Sequence, residues 1–262
     1  MCRHMAYIGP AKPLNRLLVD PPHGLYRQLW APRHQRHGTV NADGFGVGWY
    51  APGDPVPARY RRAVPIWGDP SFADLARAVL TSALLAAVQD ATLPGADGEA
   101  AAAPFAAGEW LFSHNGAMPG WPGSPEPLVA TLAPVDVLSR EARSDSAFVW
   151  ALVHARLRAG EDEGSALADT VLEAAAAAPG SRLNLILTQG HRIAATAWAT
   201  PLWYLAPPDG GTVVASEPYD DDPHWREVPD RTLMTASRTS VRLTSLEPGY
   251  GPRTEGARSS QA

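Results

Sequence analysis

Cys2 is the only cysteine in the 262-residue sequence, and it directly follows the initiator Met1. Methionine aminopeptidase removes Met1 when the next residue is small, which would leave Cys2 with a free α-amine beside its own thiol. An α-amine titrates at about pH 7.7–8.0, so it can accept the thiol proton and later return it to a leaving amine. Position 2 therefore suits a nucleophile that carries its own base, and an incidental cysteine is the alternative interpretation.

The pair Asn115–Gly116, in the stretch "SHNG", could supply a second part of such chemistry. An Asn side-chain amide and a Gly backbone N–H, adjacent in a tight turn, direct two donors at one point, as an oxyanion hole requires. Asn–Gly is also the commonest hairpin turn. By itself the pair favours a plain turn.

Asp145, in the stretch "RSDSA", falls in the first turn of a helix predicted over 144–159. Ser144 suits the N-cap of this helix, and apolar residues recur along one face at helical spacing. A carboxylate in this position is stabilised by the helix N-terminus, or it accepts a hydrogen bond from a substrate ammonium group. The residue pattern leaves both interpretations open.

The elements that must position these residues are short strands around two central helices. A second helix is predicted over 165–180, and residues 93–104 form a predicted loop. Strands are predicted over 4–9, 44–51 and 109–116, a helix followed by a strand over 71–88, and hairpins over 182–188 with 191–199, 201–206 with 212–216 and 231–236 with 240–246. The pattern predicts a single α+β domain over residues 2–250, with layered sheets and helices and a disordered tail over 251–262.

Composition narrows the classes of partner. The net charge of −5 argues against nucleic acid or an anionic membrane as the main partner, and 45% hydrophobic residues are typical of a globular protein. One cysteine excludes an internal disulfide framework and a multi-cysteine zinc site. No apolar run is long enough for a signal peptide or a membrane span, so the expected location is the cytoplasm. The oligomeric state is not indicated.

Several segments resemble known proteins. The stretches "MCR", "NADGFGVGWY", "AAVQDAT", "FSHNG" and "RSDSA" stand in the order found in class II glutamine amidotransferase domains, which are N-terminal-nucleophile hydrolases with a four-layer αββα fold. The stretches "LWAPRHQRHGTVNADGFGVGWY", "AVPIWGDPSF", "RLNLILTQG" and "VVASEPYDDDPHWREVPDR" closely resemble one branch, the amidohydrolases of ergothioneine biosynthesis. This resemblance covers nearly the whole chain apart from 93–104, 120–140 and the C-terminal tail.

The resemblance implies a role for each matching residue. Cys2 resembles the nucleophile, and Asn115 and Gly116 resemble the oxyanion hole. Asp145 resembles the acceptor for the glutamyl α-ammonium, and Thr92 stands where the family contacts the glutamyl group. The implied reaction cleaves the γ-glutamyl amide of γ-glutamyl-hercynylcysteine sulfoxide, without a cofactor, and releases glutamate and hercynylcysteine sulfoxide. The lack of a second domain that could use ammonia favours a free-standing hydrolase.

Gln89 departs from the family pattern, in which an Arg at this position pairs with the substrate α-carboxylate. An amide donates hydrogen bonds but supplies neither a charge nor a bidentate fork. Another cation, such as Arg3, could take the role. The alternatives to the implied reaction are a γ-glutamyl hydrolase or glutaminase with a different acceptor and a catalytically silent binding protein of the same fold.

Two other patterns are set aside. His34 and His37 in "HQRH", and Asp220–Asp222 with His224, fit no common zinc spacing, so no metal is expected. The stretch "GFGVG" lacks the third glycine and the following helix of a dinucleotide-binding motif. Its alternating glycines instead predict a strand whose backbone is approached closely by some other group.

Overall fold

The computed structural model describes residues 2–34, 40–90, 98–207 and 210–247. In chain order the strands are β1 (Arg3–Pro13), β2 (Gly44–Trp49), β3 (Ala58–Arg62), β4 (Leu80–Gln89), β5 (Phe105–Ala107), β6 (Trp110–Ala117), β7 (Arg182–Thr188), β8 (Ile193–Ala197), β9 (Trp203–Leu205), β10 (Thr212–Ala215), β11 (Arg226–Glu227), β12 (Thr232–Ala236) and β13 (Val241–Ser245). The helices are α1 (Leu14–Leu18), α2 (Phe72–Ala78), α3 (Glu126–Val129), α4 (Pro134–Leu138), α5 (Asp145–Arg158) and α6 (Glu163–Ala177).

In the described part of the chain the strands form two antiparallel sheets. The seven-stranded sheet has the order β11-β9-β10-β1-β4-β2-β3, and the six-stranded sheet has the order β13-β12-β8-β7-β6-β5. Helices α1 and α2 pack on the outer face of the first sheet, and α5 and α6 pack on the outer face of the second. A third apolar cluster lies between the sheets. The architecture is the predicted α+β sandwich with four αββα layers.

Strand β1 shows how alternation separates the layers. Met5 and Tyr7 pack with the helices on the outer face, whereas Ala6 and Ile8 pack between the sheets. Because successive side chains of a strand point to opposite faces, Cys2 falls on the inner side and Arg3 on the outer side. This alternation thus places the candidate nucleophile Cys2 and the neighbouring cation Arg3 on opposite faces of the sheet.

Both long helices form where the pattern predicts them. The Ser144 hydroxyl accepts the Ala147 N–H at 3.2 Å and caps α5. Helix α6 begins two residues earlier than predicted, because the Asp162 carboxylate accepts N–H groups from Gly164 at 3.0 Å and Ser165 at 3.1 Å. These hydrogen bonds satisfy donors that a helix start leaves open.

The predicted hairpins are present, and other boundaries need correction. Strands β7–β8, β9–β10 and β12–β13 pair as expected. Strand β1 continues beyond the predicted 4–9 to Pro13, with a register irregularity between Ile8 and Lys12. Part of the predicted 93–104 loop is a short 3₁₀ helix over Gly98–Ala101. Residues 93–97 and the predicted 251–262 tail lie outside the described residues, so that tail and the 2–250 domain bounds stay predictions.

The glycines of β2 have the predicted steric reason. A Cβ at Gly46 would collide with the Ala103 carbonyl oxygen, which lies against the inner face of the strand. Glycine here allows the 102–104 segment to pack directly on the sheet.

No described helix is long and apolar enough to cross a bilayer.

Candidate active site

Several strand ends converge at one end of the sandwich. In the β1–β4 pairing Arg3 lies opposite Val88, which places Cys2 opposite Gln89, and Gly44 at the start of β2 lies on the other side of Gln89. A small pocket, partly open to solvent, occupies this end. It is lined by Cys2, Phe45, Ala87, Val88, Gln89, Ala101, Ala103, Phe105, His114 and Ser146.

The environment of Cys2 keeps its thiol protonated. Burial raises the pKa of Cys2, the positive charge of the chain N-terminus lowers it, and the negative charges of Asp145 and Asp90 raise it further. The backbone N–H of Asp90 donates a hydrogen bond to the sulfur and acts in the opposite direction. Because the thiolate is the reactive form of a cysteine, nucleophilic attack from this site requires a base that removes the proton.

Asn115 is fully buried, and its position corrects the predicted turn. Asn115 and Gly116 lie inside β6, where they pair with Asn184 and Leu183 of β7, so the Asn–Gly pair does not form a hairpin turn. The partner strand β7 continues to Arg182, and this pairing extends β6 to Ala117. The Asn115 side chain donates from Nδ2 to the Ser216 hydroxyl at 3.1 Å.

The strand register directs the Gly116 N–H away from β7. Leu183, opposite Gly116, donates its own N–H to the Trp198 carbonyl on the β8 side at 3.1 Å. The Gly116–Leu183 pair is therefore of the non-hydrogen-bonded kind, and the Gly116 N–H points to the other edge of β6. On that edge β5 pairs only with residues 110–112, so no strand within the described ranges covers this donor.

Asp145 accepts hydrogen bonds at the start of α5, and its charge also acts on the candidate nucleophile Cys2. One carboxylate oxygen accepts the Met118 N–H at 3.0 Å, and the other accepts the Ser146 N–H at 2.8 Å. Each carboxylate oxygen has two lone pairs, so these hydrogen bonds leave capacity for a further donor. The next residue, Ser146, lines the pocket, and the negative charge of Asp145 raises the pKa of Cys2.

Sequence reasoning missed two histidines next to these groups. The Arg182 carbonyl accepts a hydrogen bond from His114 Nε2 at 2.9 Å, and His114 Nδ1 lies 3.0 Å from the Ser146 hydroxyl. His4 is fully buried, and its Nδ1 lies 3.1 Å from the Ser113 hydroxyl. Burial lowers the pKa of His4 to about 3, with further contributions from His114 and Arg3. The period-two alternation after Cys2 was the available signal for His4.

The backbone segment that packs against Gly46 is held by an ion cluster of Arg59, Arg61 and Glu141. Arg61 donates to the carbonyl oxygens of Ala100 and Ala102 at 3.3 Å and binds Glu141 at 2.7 Å. Arg59 binds the same carboxylate at 2.9 Å and the Pro104 carbonyl at 3.3 Å. One carboxylate thereby organises two guanidinium groups that fix the backbone around the lining residues.

The remaining predicted residues divide into three groups. Gln89 lines the pocket, with its Oε1 3.6 Å from the position that a Cβ of Gly44 would occupy. Arg3 is buried on the outer side of the sheet, where burial lowers its pKa and the buried Glu217 carboxylate opposes that change. Thr92 and His37 lie outside the described residues.

The structure gives the acidic turn a structural role. Asp222 accepts the His224 N–H at 2.8 Å, and Asp220 accepts the Trp225 indole N–H at 2.8 Å. Across residues 2–34, 40–90, 98–207 and 210–247, no group of three His, Cys, Asp or Glu side chains is arranged to hold a metal ion.

Two solved structures share this fold. A glutamine aminotransferase class-II domain protein from Silicibacter pomeroyi superposes with a TM-score of 0.69 at 23% identity, covering 94% of this chain and 100% of that one. Glutamine phosphoribosylpyrophosphate amidotransferase from B. subtilis gives a TM-score of 0.65 at 13% identity over 95% of this chain and 50% of that one. The fold is that of class II glutamine amidotransferases, an N-terminal-nucleophile hydrolase sandwich.

Sequence similarity to two named hydrolases identifies the family within this class. The chain is 41% identical to γ-glutamyl-hercynylcysteine sulfoxide hydrolase of Mycobacterium tuberculosis, over 97% of this chain and 100% of the relative. It is 42% identical to the protein of the same name in Mycolicibacterium smegmatis, over 94% and 100% of the two chains. The chain belongs to the family of γ-glutamyl-hercynylcysteine sulfoxide hydrolases. No general family model matches the chain.

Proposed function

We propose that the protein hydrolyses the γ-glutamyl amide bond of γ-glutamyl-hercynylcysteine sulfoxide and releases glutamate and hercynylcysteine sulfoxide. The observation that carries this proposal is the 41–42% identity, over nearly the full chain, to hydrolases named for this substrate. The partner is then a small molecule, and the cytoplasm is the expected compartment because a lone thiol stays reduced there.

Cys2 acts as the nucleophile in this proposal. After removal of Met1, the α-amine of Cys2 takes the thiol proton, and the thiolate attacks the γ-carbonyl carbon to form a tetrahedral intermediate. The intermediate collapses to a thioester as the C–N bond breaks, and the ammonium returns the proton to the leaving amine. Water then attacks the thioester, and glutamate leaves. The raised pKa of the Cys2 thiol supports a mechanism with a dedicated base.

The oxyanion of both tetrahedral steps is stabilised by Asn115 and Gly116. The Asn115 Nδ2 has two protons, and only one of them is directed to Ser216. The Gly116 N–H points to the edge of β6 that β7 does not occupy. Donors fixed before the reaction stabilise developing charge without reorganisation, and the loss of one typically lowers the rate about 10²- to 10³-fold.

Asp145, Gln89 and Thr92 bind the glutamyl group. Asp145 accepts the α-ammonium, because it is the carboxylate at the start of α5 that acts on Cys2 and still has free lone pairs. Gln89 lies on the Cys2 side of the sheet and donates its amide protons to the α-carboxylate. Arg3 is on the opposite side of β1, which favours Gln89 over Arg3 for this contact.

The test separates processed from unprocessed protein by intact mass. With Met1 retained, the Cys2 nitrogen is an amide and has no basic lone pair. We expect hydrolysis only from protein that has lost Met1, and binding without turnover when a residue that blocks cleavage is inserted after Met1. Release of glutamate by protein whose mass still includes Met1 would refute the α-amine mechanism. Assay of glutamine beside the sulfoxide substrate distinguishes a general glutaminase.

A further inference from the structure

Two polar ties join β1 and β6 across the space between the sheets. In the first, His4 Nδ1 lies 3.1 Å from the Ser113 hydroxyl. In the second, Asn115 Nδ2 donates to the Ser216 hydroxyl at 3.1 Å, and the same hydroxyl accepts the backbone N–H of His4 at 3.0 Å. His4 is two residues beyond Cys2, so the second tie joins the nucleophile strand to the side chain proposed for the oxyanion hole.

Burial and hydrogen bonds to His4 fix the position of Ser216. It is fully buried and directly follows β10. Its backbone N–H donates to the His4 carbonyl at 3.0 Å, and its hydroxyl donates to the same carbonyl at 3.3 Å. The hydroxyl proton is therefore directed to β1, and the lone pairs of the oxygen remain for the N–H groups of His4 and Asn115.

We propose that Ser216 is a positioning residue for the oxyanion hole: its hydroxyl accepts one Asn115 amide proton and thereby aims the second at the substrate oxygen. The inference rests on the proposed function, in which Asn115 stabilises the oxyanion. An acceptor at Ser216 selects the amide orientation in which nitrogen, rather than oxygen, faces it. Asn115 Oδ1 is buried and has no hydrogen-bond partner among the described residues, so Ser216 supplies the hydrogen bond that fixes this amide.

Ser216 acts through Asn115, and a double-mutant cycle measures that dependence. In the otherwise native protein, Ser216→Ala removes the hydrogen bond from Asn115 together with the two hydrogen bonds between the hydroxyl and the His4 backbone, and it should lower kcat about three- to tenfold, with KM within about twofold of the native value. Asn115→Ala should lower kcat about 10²-fold. In the Asn115→Ala background, Ser216→Ala should lower kcat by less than about twofold, because no amide remains to be positioned and only the contacts to His4 are lost.

Ser113→Ala is the matched control. It removes a buried hydroxyl from the same face of β6 and breaks the other tie, but it does not touch Asn115. Any effect of Ser113→Ala should therefore be the same in both backgrounds. Ser216→Thr, which keeps the hydroxyl, should restore kcat to within about threefold of the native value. If Ser216→Ala does not fold, Ser216→Cys replaces it in the cycle, since a thiol is a weaker acceptor of similar size.

Two results distinguish failure of the inference from failure of the proposed function. If Ser216→Ala, or Ser216→Cys in its place, lowers kcat by the same factor in both backgrounds, Ser216 is only structural and the inference is overturned. If Asn115→Ala leaves kcat unchanged, the oxyanion role of Asn115 fails first, and the positioning role of Ser216 fails with it.

Discussion

The space between the two sheets has two chemically different ends. At one end the facing side chains are apolar and almost fully buried, and they include Ile8, Ala83, Leu111, Ile193 and Ala236. At the other end, beside the pocket, the buried side chains are His4, Ser113, Asn115 and Ser216. Among the described residues, this second end contains buried polar atoms without a hydrogen-bond partner, namely His4 Nε2 and Asn115 Oδ1.

The apolar end of the space between the sheets therefore contributes mainly to stability, and the polar end contributes mainly to the proposed chemistry. Burial of apolar surface is a non-directional interaction, so the side chains at the apolar end need only fill the available volume and fit one another in shape. A buried polar group without all of its partners lowers stability, and folded proteins contain few of them outside functional sites. Changes at the apolar end should therefore reduce stability, and changes at the polar end should reduce activity.

The largest expected effect is at Cys2. Cys2→Ala in correctly processed protein should abolish hydrolysis and leave the folded structure and substrate binding intact, because a small side chain fits the same space. Because Cys2 is the only cysteine, one equivalent of iodoacetamide should inactivate the native enzyme completely. Glutamate release is the measurement, with the alkylated mass as the check. Turnover by Cys2→Ala would contradict the assignment of the nucleophile.

At the apolar end, Ile193→Ala should lower the free energy of unfolding by about 3 kcal/mol, because it leaves a cavity between the sheets. The kcat of the folded fraction should change by less than about twofold, since Ile193 is not in the pocket. Urea denaturation and kinetics below the transition measure the two quantities. Leu138→Ala, at a side chain that is 85% exposed, is the control and should change stability by less than about 0.5 kcal/mol. A large loss of kcat with Ile193→Ala would show that the two ends are coupled.

His4 should make the polar end sensitive to acid. In the native state the pKa of His4 is lowered to about 3, whereas the unfolded value is 6.5. Below pH 6.5 the unfolded chain takes up a proton that the native state excludes, so this stability is complete above pH 6.5 and lost as the pH falls toward 3. At pH 5 the loss amounts to about 2 kcal/mol. Unfolding free energies of His4→Gln should vary less with pH over this interval. Equal pH dependence in native and variant proteins would mean that His4 is not buried in its neutral form.

The smallest effect is expected at Gln89. If its amide contacts the α-carboxylate, Gln89→Arg should tighten glutamyl binding by about 1–2 kcal/mol, five- to thirtyfold and mostly in KM, because the pair becomes charge-assisted. A substrate with an amidated α-carboxylate should show no gain. Weaker binding of the acid substrate would indicate that another cation already serves the carboxylate. An equal gain for both substrates would assign residue 89 a packing role.

Local patterns predicted the elements whose signals lie within a few residues. The helix over 144–159 was predicted because Ser144 and the apolar spacing are local, and the hairpins were predicted from alternating runs around turn residues. Asn115–Gly116 was assigned to a turn by the same reasoning and is instead in a strand. The reason is tertiary: β7 is about 70 residues away along the chain, and its pairing with β6 overrides the local preference for a turn.

The sequence by itself determined the candidate nucleophile, since a lone cysteine behind Met1 has a chemical meaning that needs no coordinates. It also determined the αββα resemblance and the alternation that divides Cys2 from Arg3. Only the tertiary structure decided that Asn115, on β6, meets Ser216 after β10, and that Gln89 shares a pocket with Cys2. These contacts join residues that are far apart in the chain, and strand register sets them. Register depends on the pairing of whole sheets, because a shift of one residue would turn every side chain to the opposite face.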